Sequence, residues 1–488
     1  MDGAANVRPG DRDVPADDGS TRERELERSI GLVGATAIGV GTMIAGGIFV
    51  LSGLAVANVG AAAAVSFVLA AVVAAVTALT YAEFATIYTV DGGGYAYVAE
   101  VFESDWSYLV GWLLILGYPA SAAFYLASFA DWFARFLLPA LSLPAALPFW
   151  VPAVVVLAIL VAVNLAGAQE TGTFQIVVTG LKIALIGLFL FGGLRAFRAD
   201  VVVRSLATNV THVDDVALTA ALVFITFFGF EAIATSEGEI ESPERTVPRA
   251  IFLSIGLVTV LYVLVVAVVV LAINDARFLA FLAERAGLRS PEVATTFLAE
   301  HGEVAMARAA QYYLGDAGFY VFVVGALLSM ISAANATVLA GSRVKLAMAE
   351  RDQLPAAVER ISPRTGAPTV AVLVTGGLIL AFFVTFGVLF GRAPGGANAG
   401  VVLGLESLAH FADVMLLAGL VFVNVALIQS RRTKPDQVRR FRVPGVPWVP
   451  LVGVASNLAL LASLEVTSVA LGALAVALGV VFWFAVVE

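Results

Sequence analysis

Apolar residues run through this chain in twelve long, nearly uninterrupted stretches, near 31–54, 61–87, 107–138, 150–168, 174–196, 216–236, 248–273, 315–342, 368–391, 401–429, 447–464 and 467–487. Most hold the ~20 residues that an α-helix needs to cross ~30 Å of hydrocarbon. A membrane β-barrel would show short segments of alternating polarity instead. The pattern predicts an all-α polytopic membrane protein of about 12 transmembrane (TM) helices, the third long enough to tilt. Residues 1–28 are polar, rich in Asp and Arg, and read as a disordered tail. The external stretch 274–314 is expected to hold short surface helices.

Basic residues orient the spans. Arg22, Arg24 and Arg28, then Arg245 and Arg249, then Arg343, Lys345, Arg351, Arg360 and Arg364, and finally "RRTKPDQVRRFR" at 431–442 all fall on one side. That side is predicted to be the cytoplasm, with both termini in it and the chain in the cell membrane. The expected organisation is the tail 1–28, a five-helix block 29–197, a second five-helix block 214–430, and two further helices in 447–488. Five is odd, so the second block would be inverted relative to the first.

Each block opens on an interrupted helix: the first at "IAGGIF", 44–49, the second at "FFGFE", 227–231. Paired interruptions in inverted halves point to a transporter's binding site. Unwinding frees backbone groups that are tolerated only where they line a cavity. Gly46 and Gly47 let a ligand approach the main chain closely. The N–H groups that follow, at a helix's positive end, suit a carboxylate. Carbonyls near Thr42 to Ile44 and near Ile225 to Phe228 suit an ammonium. A free amino acid carries both groups.

Composition agrees: 60% of residues are hydrophobic and 13% charged, and the mean hydropathy is +0.94, well outside soluble globular usage. With no cysteine and only His212, His301 and His410, scattered, no metal, haem or other cofactor is expected, and no catalytic cluster for an enzyme. No nucleic-acid partner is expected. A channel would need a continuous polar pore lining, and a sensory subunit a large soluble domain; neither pattern is present.

Several motifs carry a resemblance. "GVGTMIAGGIFVLSG" (39–53), "DGGGYAYV" (91–98), "FFGFEAIATSEGEIESPERTVPRAI" (227–251), "SAANATVLAGSRVKLAMAERDQLP" (332–355) and "RRFRVPGVPWVP" (439–450) resemble, in order, elements of the amino acid–polyamine–organocation (APC) superfamily of permeases. The resemblance implies a LeuT-type fold with a 5+5 inverted repeat plus two C-terminal helices. It also implies a secondary transporter of amino acids or amines working by alternating access, with the lipid bilayer, an amino acid and often a proton as partners. It places the substrate carboxylate at the amides of Ala45, Gly46 and Gly47, and the amino group at the carbonyls of Ile44, Ile225, Thr226 and Phe228. Phe227, Phe228 and Phe230 are candidates to close over the substrate or, equally, packing residues. Cationic-type relatives read Leu-Ile-Leu-Glu-Tyr where this chain has "LILGY", 114–118, so a neutral substrate is expected.

Lys182 stands alone in the apolar run "VVTGLKIALIGLFLF". An unpaired charge there is costly and usually functional, unless it snorkels to the surface. The resemblance implies that it replaces the sodium of sodium-coupled relatives and carries the coupling proton, bridging helix one and helix eight with Ser329 or Ser332 as partners. Glu231 is either a cap or functional. Glu83 and Glu406, near span ends, are expected to reach water. The run Glu237, Glu239, Glu241 and Glu244 reads mainly as a solvated face, a gate contact with Arg249 or Arg28 being the lesser alternative.

Overall fold

The apolar runs are helical over most of their described length in the computed structural model, which describes residues 28–484 apart from 46, 89, 103, 142–147, 149, 196, 291–292, 295–296, 298–301 and 390–404. In chain order the helices are α1 (Leu32–Met43), α2 (Gly47–Val59), α3 (Ala63–Ala85), α4 (Gly94–Ala99), α5 (Ser104–Trp132) and α6 (Trp150–Ala166). Next come α7 (Ala168–Leu194), α8 (Ala199–Asn209), α9 (Val213–Phe224), α10 (Phe230–Thr235), α11 (Pro243–Ile273) and α12 (Ala276–Ala286). The last six are α13 (Gly302–Leu314), α14 (Asp316–Ala349), α15 (Thr369–Phe382), α16 (Leu405–Thr433), α17 (Trp448–Ser463) and α18 (Val466–Phe482). Extended structure among the described residues is limited to two isolated bridges, Ile30 with Ile240 and Ile361 with Pro368.

The chain is therefore an all-helical, multi-pass membrane protein. Seven described helices are long and apolar enough to cross a bilayer, and α17 and α18 form a further pair bent by 115°. Two of the twelve runs are split, 31–54 into α1 and α2 and 216–236 into α9 and α10. The polar stretch after α11 forms α12 and α13, with Asp275 accepting the Arg277 N–H at 2.9 Å to cap α12. The expected tail lies outside the described residues but for its last residue.

Packing places α1 at the centre, against α7, α10, α11 and α14, while α5 packs against both α14 and α16. Small residues permit the close approach. A Cβ on Gly41 would lie 1.8 Å from Gln175 Nε2 and 2.7 Å from Ser332 Oγ, so α7 and α14 close on α1 only because that position has no side chain.

Ionic contacts gather at the end of the bundle that holds residues 28–31. Glu83, fully buried, accepts from Arg431 Nε and Nη2, both at 2.7 Å, and from the Val443 N–H at 2.6 Å, with Arg439 Nε at 3.0 Å. The expectation that Glu83 reaches water is thus corrected: Arg431 at the end of α16 and Arg439 in residues 434–443, which fold back over the end of α3, supply its counter-charges. The Glu406 side chain lies outside the described residues. Glu100 pairs with Arg351 at 2.9 Å at this same end. Since α5 begins just after Glu100 while α14 and α16 end beside Arg351 and Arg431, residues near 128–132, 316–320 and 405–410 occupy the opposite end.

Candidate functional site

The two helix breaks meet. α1 ends at Met43, and Ile44 makes its last helical bond, N–H to the Val40 carbonyl at 2.9 Å. α9 ends at Phe224 and tightens into a 3₁₀ turn, Ile225–Phe227, before α10 starts at Phe230. Gly229 between them has φ +129°, and a Cβ there would sit 2.5 Å from Thr42 Cβ. Only glycine allows both that backbone and that approach. Glu231 acts as a cap, accepting the Gly229 N–H at 2.8 Å.

Both breaks open on a cavity of about 450 Å³, in the size range of small-molecule sites. Thr42, Met43 and Ala45 line it from the first break, and Thr226 and Phe228 from the second. Ser121, Phe124 and Tyr125 of α5 and His410 and Asp413 of α16 form the far wall. Through Ser128, Trp132 and Ser463 the cavity extends away from the ionic end.

The candidate residues divide. Ala45, Thr226 and Phe228 face the cavity. Gly47 opens α2 and Ile225 opens the 3₁₀ turn; Gly46 lies outside the described residues. Phe227 and Phe230 turn into the core, against Tyr262 and Tyr81 at ring distances of 5.7 and 5.6 Å, so the idea that they close over a ligand gives way to packing. The Ile44 carbonyl is already engaged, by Lys182.

Lys182 is completely buried in α7, behind the first break. Its Nζ donates to the Gly41 carbonyl at 2.8 Å, the Ile44 carbonyl at 3.2 Å and Ser332 Oγ at 3.3 Å. An ammonium has three donors, and all three are placed. No carboxylate pairs with it among the described residues. Ser329, the other candidate partner, bonds its own helix at the Gly325 carbonyl instead, at 2.9 Å. Ser332 continues into a buried polar chain that the sequence did not single out. Gln175 Nε2 donates to Ser332 at 2.8 Å, Asn335 Nδ2 to Gln175 Oε1 at 3.0 Å, and Asn164 Nδ2 to Asn335 Oδ1 at 3.0 Å. Helices α1, α6, α7 and α14 are thus tied together at the lysine.

A family model described as amino acid permease matches residues 30–486. The chain belongs to the amino acid permease family. It is a transporter of the APC superfamily, not an enzyme. The branched-chain amino acid permease BcaP of Bacillus subtilis is 27% identical over 478 residues, 95% of this chain and 93% of that one. The methylthioribose transporter of the same organism is 26% identical, covering 88% of this chain and 87% of that one. Its serine/threonine exchanger SteT is 25% identical, covering 92% and 93%.

In this permease the ionic end is closed beneath the breaks by a clamp. Ser29 and Ile30 donate their N–H groups to the Glu239 carbonyl at 3.1 and 2.9 Å, and Glu241 N–H donates to the Ile30 carbonyl at 3.0 Å. The Glu239 carboxylate pairs with Arg343, both buried. Glu237 accepts from Tyr97 Oη at 2.6 Å. Two carboxylates of the supposedly solvated run are therefore interior, because α10 carries the chain back under α1. Asp91 accepts the Gly238 N–H at 2.8 Å. Burial, then Glu239 and Glu350, push its carboxyl up to about 7, against the pull of Arg343 and of that N–H.

The sign follows from linkage. An acid with a raised pKa favours the closed clamp when protonated. The clamp therefore weakens as pH rises from the ordinary aspartate range toward 7, and levels off above it. The chain has no cysteine, so a single Ser236→Cys, at a buried position beside the clamp, reports opening. Labelling, normalised to an exposed cysteine, is expected to rise several-fold over that range and to become flat in Asp91→Asn. Equal pH dependence in both would contradict the assignment.

Proposed function

We propose that this permease is a proton-coupled secondary transporter of free amino acids, working by alternating access in the cell membrane with both termini in the cytoplasm. Twelve spans would be arranged as two inverted five-span units, α1–α7 and α9–α16, followed by α17 and α18. The observation that carries the proposal is the meeting of two helix breaks at one cavity, with a buried ammonium bonded to the back of the first. A zwitterion would set its carboxylate against the amides of Ala45, Gly46 and Gly47. Its ammonium would take carbonyls of Ile225, Thr226 and Phe228, Ile44 becoming available when Lys182 lets go. With the basic end in the cytoplasm, the clamp there and the cavity toward the other end would correspond to an outward-facing state.

Lys182 would supply the coupling. Protonated, it holds α1 to α7 and α14; deprotonated, it keeps at most two donors and that joint loosens. Proton and substrate then act on opposite faces of the same few backbone groups, which makes one equilibrium sensitive to both. The neutral class of side chain was expected from Gly117. A Cβ there would meet Met415 and Leu416 at 3.0 Å, so position 117 packs against α16 and speaks for neither class.

Purified protein in proteoliposomes, tested for counterflow of a panel of labelled amino acids, checks the substrate class. At least one amino acid should accumulate above empty liposomes; none doing so would refute the proposal.

A further inference from the structure

Asp413 stands two turns into α16, in the cavity's far wall, where Phe124, Ala412, Leu416 and Leu417 are apolar and Ser121, Tyr125 and His410 are its polar neighbours. The residue is 6% exposed. Its Oδ2 has no hydrogen-bond partner among the described residues. None of the polar groups nearby hydrogen-bonds that oxygen among the described residues. His410, one turn earlier, has its Nδ1 3.7 Å from Glu465 and without a hydrogen-bond partner of its own, Ser121 donates its hydroxyl to the Gly117 carbonyl at 3.0 Å, and Tyr125 lines the same wall. A carboxylate in such surroundings is costly unless a proton or a cation meets it.

An amino acid held by the two breaks has its main-chain charges served by backbone. Its side chain is what remains to cross the cavity toward α16. We propose that Asp413 is a specificity-determining residue that pairs with a cationic group at the end of the substrate's side chain, so that basic amino acids are preferred over apolar ones of equal length. This rests on the amino acid reading above and deepens it. Gly117 packs onto Met415 and Leu416 of the same helix, so α5 leaves no room for an acid there and α16 provides one instead.

Lysine against norleucine, and ornithine against norvaline, are pairs matched in chain length that differ by one terminal amine. Their binding to the purified full chain, read as ligand-induced thermal shifts, gives each ratio directly. Wild type is expected to bind lysine at least about tenfold more tightly than norleucine, roughly 1.4 kcal/mol. Asp413→Asn should bring the ratio near one by weakening lysine while norleucine is retained. Asp413→Glu keeps the charge on a longer stem and should move the preference toward ornithine, which keeps the test open if the Asn variant does not fold. A wild-type ratio of one or below, or an unchanged ratio in Asp413→Asn, overturns the role of Asp413. Binding of none of the four ligands overturns the specificity role of Asp413, while the amino acid reading itself stands or falls on the counterflow panel.

Discussion

Lys182→Met is expected to abolish uptake driven by a pH gradient while the protein still inserts and folds. The methionine stem fills nearly the same volume, but the Gly41 and Ile44 carbonyls and Ser332 each lose a donor. An acceptor left bare in the interior costs about 1–3 kcal/mol, so a fall in Tm of several degrees should accompany the loss. Stability alone would leave residual coupled transport in proportion to folded protein. Loss of coupling predicts something different: counterflow, which needs no gradient, persists at a measurable rate, and accumulation against a gradient falls to background. Accumulation at the wild-type level would mean that the proton travels elsewhere.

Gly229→Ala is a small change in volume with a large expected effect on transport. The residue has φ +129°, and the added methyl would lie 2.5 Å from Thr42 Cβ and 3.0 Å from the Met43 N–H nitrogen. A non-glycine residue in such a conformation costs about 1–3 kcal/mol before any clash. Relieving the clash means parting the two breaks, which would open the cavity wall where the substrate binds. Uptake is expected to drop at least about a hundredfold, with a lowered Tm. Gly180→Ala is the control. It lies within α7, and a Cβ there meets nothing within 4 Å, so a helix interior should gain slightly from the exchange. Equal transport by the two variants would show that the contact between the breaks is dispensable.

Much of this was legible from residue order alone. Long apolar runs give helices because hydrocarbon leaves the backbone no other partner, and the runs interrupted at 44–49 and 227–231 are the ones that split. Lys182 was conspicuous as a cation in an apolar stretch, and Ser332 was among its candidate partners. What escaped notice depends on which helix lies opposite. Glu83 looked like a residue near water until residues 434–443 folded over it. Gly117 looked like a missing acid, yet α16 occupies the space. Phe227 and Phe230 share a motif with Phe228, and only the packing of Tyr262 and Tyr81 against the first two tells them apart. Asp413 could have been found: an acid two turns inside an apolar run is the signal that drew attention to Lys182. Gln175, Asn335 and Asn164 could not, since single amides on three helices reveal a chain only when the helices are packed.

The most direct measurement is of proton movement itself. Full-length protein in sodium-free proteoliposomes enclosing a pH-sensitive dye is given an external amino acid that it transports. The lumen should acidify on addition for wild type, in step with uptake and unchanged by added sodium, and should stay level for Lys182→Met. Uptake that needs sodium, uptake without acidification, or acidification by the Met variant as fast as by wild type would contradict a proton carried by Lys182.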